Sequence, residues 1–124
     1  MSIDVEQSVK TFMDAADQTE VNRDKVSDLR LALIEEEYNE FLEALGWGDP
    51  VFIAKEAADL VYVVVGTLIS LGIPFNDVFA ALQASNMTKI GADGHVVRRE
   101  DGKILKGPDF KPAEDLIRDI LASK

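Results

Sequence analysis

Apolar residues recur along this chain at helical spacing, and the pattern predicts four helices before it breaks down. Val5, Val9, Phe12 and Met13 fall on one side of a first helix over about residues 3–16. The polar stretch 17–24 predicts a loop. Leu29, Leu33, Ile34, Phe41 and Leu45 then form the stripe of a long second helix, about 25–45, closed by Gly46. The segment GWGDP (46–50) predicts a turn, in which Asp49 suits an N-cap and Pro50 the first helical position. A third and more apolar helix runs to about residue 71, with Gly72 as its stop. Pro74 and Asn76 open a fourth, which reaches about residue 89.

The character changes after that. In ADGHVVRREDGKILK (92–106) two short runs, 96–99 and 103–106, flank Glu100-Asp101-Gly102, which is a hairpin signal. The stretch 107–112 is irregular, and a short helix over about 113–122 ends the chain. The expected fold class is therefore all-α: a four-helix bundle core with a small C-terminal β-hairpin and a short terminal helix. The 124 residues suit a single domain, with a helical core over 1–90 and a basic hairpin and tail over 91–124.

The apolar stripes contain acids that do not belong to a simple core. In LIEEEYNEF (33–41), Glu37 lies one turn after Leu33 and Glu40 one turn before Ala44. Glu36, Glu37 and Glu40 share a narrow sector of the second helix. The third helix repeats the oddity, with Glu56 and Asp59 three apart and aligned with Phe52, Val63 and Gly66. A short turn joins the two helices, so they should run antiparallel. Glu40 lies six residues before Gly46 and Glu56 six after Pro50, so the two acidic groups sit at similar heights.

Carboxylates converging in an apolar bundle repel one another and lose hydration. They can take up protons or bind hard cations, and an oxygen-only set without His or Cys favours Mg²⁺ or Mn²⁺. An acid run on one helix is more often a solvated face, and Glu56 and Asp59 could instead pair with Lys55. The conjunction of two acidic pairs, on adjacent helices and at matching height, favours the metal site.

Charge sharpens the question. The formal net charge is −10, which repels nucleic acid and anionic membranes and would also repel a free nucleotide. Yet eight of the 13 Lys and Arg residues lie from Lys89 onward. Lys89, Arg98, Arg99, Lys103 and Lys106 could supply positive charge for phosphates, although each singly is more often a solvated side chain. The longest apolar run is Leu60–Val65, too short to span a membrane. There is no cysteine and the N-terminus has no signal-peptide pattern, so a cytoplasmic location is expected.

The sequence resembles the all-α nucleoside triphosphate pyrophosphohydrolases, the group of MazG-like proteins, dimeric dUTPases and phosphoribosyl-ATP pyrophosphohydrolase. Two Glu-rich helices carry the likeness, EExxE at Glu36, Glu37 and Glu40, then ExxD at Glu56 and Asp59. LRLALIEEEYNEFLEA, EAADLVYVVVGTLISLGI, SNMTKI and DGKILKGPDF extend it to a MazG-like subgroup related to phosphoribosyl-ATP pyrophosphohydrolase. The resemblance implies a MazG-like bundle in which Glu37, Glu40, Glu56 and Asp59 are Mg²⁺ ligands. It makes Glu36 a holder of a further ion or of water, and sets Asn86 and Lys89 on the nucleotide. It implies hydrolysis of a nucleoside triphosphate, a dNTP or non-standard nucleotide, to monophosphate and pyrophosphate. Phosphoribosyl-ATP hydrolysis and a non-catalytic nucleotide-binding or regulatory module are the alternatives.

The apolar third helix predicts a homodimer or dimer of dimers, with the third and fourth helices at the interface. Trp47 reads as a turn anchor more readily than as a base-stacking residue. His95 reads as an exposed hairpin residue. There is no GxxxxGK[ST] phosphate loop.

Overall fold

A computed structural model describes residues 2–18 and 20–123. Lys124, one of the basic residues counted in the tail, lies outside them. The described residues form five helices and no strand: α1 (Val5–Ala15), α2 (Asp28–Trp47), α3 (Pro50–Ser70), α4 (Phe75–Met87) and α5 (Ala113–Ala122). The chain divides into two compact units, Met1–Phe75 and Asn76–Lys124.

In the first unit, α3 packs against both α1 and α2. Each helix starts on a side-chain cap that satisfies an amide the helix leaves open. Asp4 accepts from Gln7 N–H, Ser27 from Arg30 N–H and Asp49 from Val51 N–H. The core is small. Val9 and Met13 of α1 meet Val65 of α3, with Ile69 and Phe75 packed against them. Glu6 ties the far end of this unit down by accepting the Phe75 N–H at 2.6 Å.

The stripe of α2 is less buried than its periodicity predicts. Leu33, Ile34 and Phe41 are half-buried, but Leu29 and Leu45 are exposed, and only Arg30 and Ala44 are fully buried. One packed helix neighbour, α3, does not cover a stripe of this width. Helix α2 also runs past Gly46 and through Trp47. Its stop is Gly48, which takes φ 76° and donates its N–H to Ala44 O at 3.1 Å. The expected five-residue turn shrinks to Gly48 and Asp49. Trp47 is therefore a helical residue, 69% exposed, and anchors no turn within the described residues.

In the second unit, Ser85 Oγ donates to Lys111 O, and Lys111 N–H donates to Thr88 Oγ1. These bonds tie the end of α4 to the approach of α5. The expected β-hairpin does not form. Its turn is present, with Gly102 at φ 91° and Asp101 accepting from Lys103 N–H. The flanks make only isolated antiparallel bridges, Ile90–Val96 and Arg98–Ile104. Runs of four residues offer too few ladder bonds for a two-stranded ribbon, which is marginal even when longer.

Candidate functional site

The acids come together because two long helices are joined by a link too short to let them slip. Arg30 meets Val63 and Thr67, while Glu37 meets Glu56 and Asp59, so the partners descend on α2 as they rise on α3. The helices are antiparallel, as expected, and the two acidic pairs lie at one level.

Carboxylate oxygens of Glu36, Glu37 and Glu40 lie within 4.8 Å of one another, and so do those of Glu37, Glu56 and Asp59. Glu37 belongs to both groups. Glu36 is exposed, whereas Glu37, Glu40, Glu56 and Asp59 are half-buried. Glu35 is exposed and belongs to neither group.

Crowding shows in the titration of Glu40, whose carboxyl is pushed up to about 7. Loss of water is the largest cause. The charge of Glu37 follows, then hydrogen bonds that a protonated Glu40 makes to Glu37 and Glu56, and last the charge of Glu56. Glu37 Oε2 and Glu56 Oε2 are both buried and have no hydrogen-bond partner. A buried carboxylate oxygen without a donor is costly, and most native proteins avoid it. All-oxygen donors with unsatisfied lone pairs, on facing helices, fit a hard divalent cation. Glu37, Glu40, Glu56 and Asp59 are the residues that could hold one.

One base reaches this cluster among the described residues. Lys55 Nζ lies 2.6 Å from Asp59 Oδ2 and 3.3 Å from Glu56 Oε1. The two acids, Asp59 first, hold the Lys55 ammonium above its ordinary range. The pairing that competes with a metal site is thus present, but it leaves Glu56 Oε2 unpartnered.

Asn86, Lys89, Lys103 and Lys106 all lie in the second unit. Asn86, Lys103 and Lys106 are exposed and Lys89 is half-buried. Lys89 and Lys106 converge on one ring, with their ammonium groups 5.8 and 4.9 Å from the centroid of Phe110. Arg99 pairs with Asp101, Arg98 donates to Gly102 O, and His95 is exposed as expected. Phe110 had no signal beyond its place in GPDF.

The sequence pattern does not mark Arg30 either. It is 6% exposed, donating from Nε to Thr67 Oγ1 at 3.3 Å and from Nη2 to Val63 O at 2.9 Å. Burial holds its guanidinium below the usual range. The signal that could have found it is Gly66, a glycine inside an apolar helix, which marks a close approach. A separate cavity of about 470 Å³ lies by the α1–α2 loop, lined in part by Met13, Asp17, Asn22, Lys25 and Ser70. It shares none of the acidic cluster. Among the described residues no single helix is long and apolar enough to cross a membrane.

Residues 5–86 match the family described as phosphoribosyl-ATP pyrophosphohydrolase. The matched stretch contains all five clustered acids and Asn86, and stops short of Lys89, Lys103 and Lys106. No curated protein matches the chain. With its two acidic helices and this match over most of its length, the chain belongs to the phosphoribosyl-ATP pyrophosphohydrolase family, within the MazG-like all-α NTP pyrophosphohydrolase superfamily.

Proposed function

We propose that this chain is a Mg²⁺-dependent pyrophosphohydrolase that cleaves a nucleoside triphosphate, a dNTP or a non-standard nucleotide, to its monophosphate and pyrophosphate. The observation that carries this reading is the pair of buried, unpartnered oxygens, Glu37 Oε2 and Glu56 Oε2, in a cluster of acids. Family membership favours a second substrate, phosphoribosyl-ATP, for the same bond cleavage. A purely regulatory module is the weaker reading, because every acid of both motifs is present.

Glu37, Glu40, Glu56 and Asp59 would hold the cation, with Mn²⁺ able to replace Mg²⁺. When bound, it would neutralise phosphate charge and make water a better nucleophile near neutral pH. In the metal-free cluster Glu40, with its carboxyl near 7, holds a proton that cation binding would release. Glu36, exposed and close to Glu37 and Glu40, would orient a water or a further ion. Lys89 and Lys106, gathered on Phe110, offer positive charge to a polyphosphate, with Asn86 and Lys103 as further nucleotide contacts.

The family match runs from the first unit into the second, which supports treating the chain as one domain. A nucleotide substrate makes the cytoplasm the expected compartment. The test is pyrophosphate release with Mg²⁺ across the common NTPs, the dNTPs and phosphoribosyl-ATP. Turnover of phosphoribosyl-ATP alone would select the second substrate, and no release from any would favour the regulatory module.

A further inference from the structure

The carboxylate of Glu56 is divided between two environments. Its Oε1 accepts from the Lys55 ammonium at 3.3 Å, while its Oε2 is buried with no partner. The same ammonium lies 2.6 Å from Asp59 Oδ2, one turn along the same helix. Lys55 therefore places one positive charge on the solvent side of an acid cluster that has no other base among the described residues. Its side chain is 62% exposed, so packing does not fix it and it can swing away without disturbing the core.

A divalent cation held by the same carboxylates would carry twice the charge of the ammonium, within a few ångströms of it. Attraction of the acids for Lys55 would then be largely spent, and the two cations would repel. Nothing in the packing opposes the departure of the lysine.

We propose that Lys55 is the resident counter-ion of the metal-free cluster, and that a divalent cation enters by displacing its ammonium from Asp59 and Glu56. The inference rests on reading the acids as a cation site. It makes the lysine a positioning residue. It limits the repulsion between α2 and α3 when no metal is bound, and it sets metal affinity below what the acids alone would give.

The test uses Mn²⁺ binding by calorimetry on the full chain, with melting curves in EDTA and at saturating Mn²⁺. Lys55→Met removes the charge and keeps much of the stem, Lys55→Gln is a second neutral variant, and Lys55→Arg keeps the charge. The neutral variants should bind Mn²⁺ roughly two- to fivefold more tightly, the size expected for loss of an exposed ion pair. They should melt below the wild type in EDTA and level with it at saturating Mn²⁺, while Lys55→Arg should follow the wild type. Equal or weaker Mn²⁺ binding by both neutral variants would overturn the proposal. So would a melting loss of the same size with and without Mn²⁺, which marks a structural role alone. A wild type that binds no Mn²⁺ would remove the cation reading of the cluster, and this inference with it.

Discussion

Gly66 on α3 faces the guanidinium of Arg30 on α2 so closely that a methyl group at residue 66 would overlap it. The close approach lets a buried arginine span the helix pair and donate to Val63 O and Thr67 Oγ1. Gly66→Ala should therefore destabilise the fold by about 1–3 kcal/mol through overpacking. Urea denaturation measures this, and an unchanged midpoint would mean that Arg30 has an alternative place to go.

Divalent cations should stabilise the protein. If the acids bind Mg²⁺ or Mn²⁺ in the folded state only, the melting temperature rises with cation concentration by mass action. Millimolar MgCl₂ should raise it more than NaCl of matched ionic strength, and Glu56→Gln should shrink the difference. Identical curves in MgCl₂ and in NaCl would return the acids to an ordinary solvated surface.

The metal-free protein should lose stability as pH rises from about 4.5 to about 7, where Glu40 would be protonated in the native state but ionised in the unfolded chain. The folded-state value is raised, so the native state binds more protons across this window. Its contribution is present below the unfolded value and lost above the folded one. Asp101, held low by Arg99, acts oppositely and only in acid, below its ordinary 3.8. Melting in EDTA between pH 5 and pH 8 should show the decline in the wild type and flatten it in Glu40→Gln. A wild-type curve as flat as that of the variant would remove Glu40 as its source.

Turnover should fail at each of the four acids that would hold the cation. Glu37→Gln, Glu40→Gln, Glu56→Gln and Asp59→Asn should each cut pyrophosphate release by roughly a hundredfold or more, and pairs should not multiply. Glu35→Gln is the internal control, since Glu35 is exposed and outside both acid groups. Lys89→Ala should mainly raise KM. Near-full activity in both Glu56→Gln and Asp59→Asn would show that the chemistry lies elsewhere.

The first unit leaves Phe12, Val51, Phe52, Val61, Tyr62 and Val64 exposed. Large apolar side chains exposed in this number usually meet another protein surface, and a second copy is the partner proposed here. Light scattering at micromolar concentration should give a dimer or tetramer mass. A monomer mass would require another cover for α3.

The sequence made the site more legible than the core. Acids at i, i+3 on two helices, with capping and stop residues between them, are enough to bring Glu37 and Glu56 level. The same periodicity overstated the burial of Leu29 and Leu45, because a stripe reports what a helix can bury and not how many neighbours are present to bury it. Gly46 and Gly48 are equally good stops on paper. The left-handed φ of Gly48, with the bond from its N–H to Ala44 O, distinguishes them. The bonds of Arg30 to Val63 and Thr67 and the reach of Lys89 to Phe110 depend on contacts across gaps in sequence, which no local pattern encodes.

The two-residue link between α2 and α3 also constrains how this chain can vary in length. Fifteen residues separate Glu40 from Glu56. One residue inserted into either helical arm would turn the acids beyond it by about 100° and out of register. Phase returns only when each arm gains a full turn, about seven residues for the two together. Insertions and deletions between the motifs should therefore come in near-heptad steps, whereas the segment between α1 and α2, which sets no register between acids, should accept them one residue at a time.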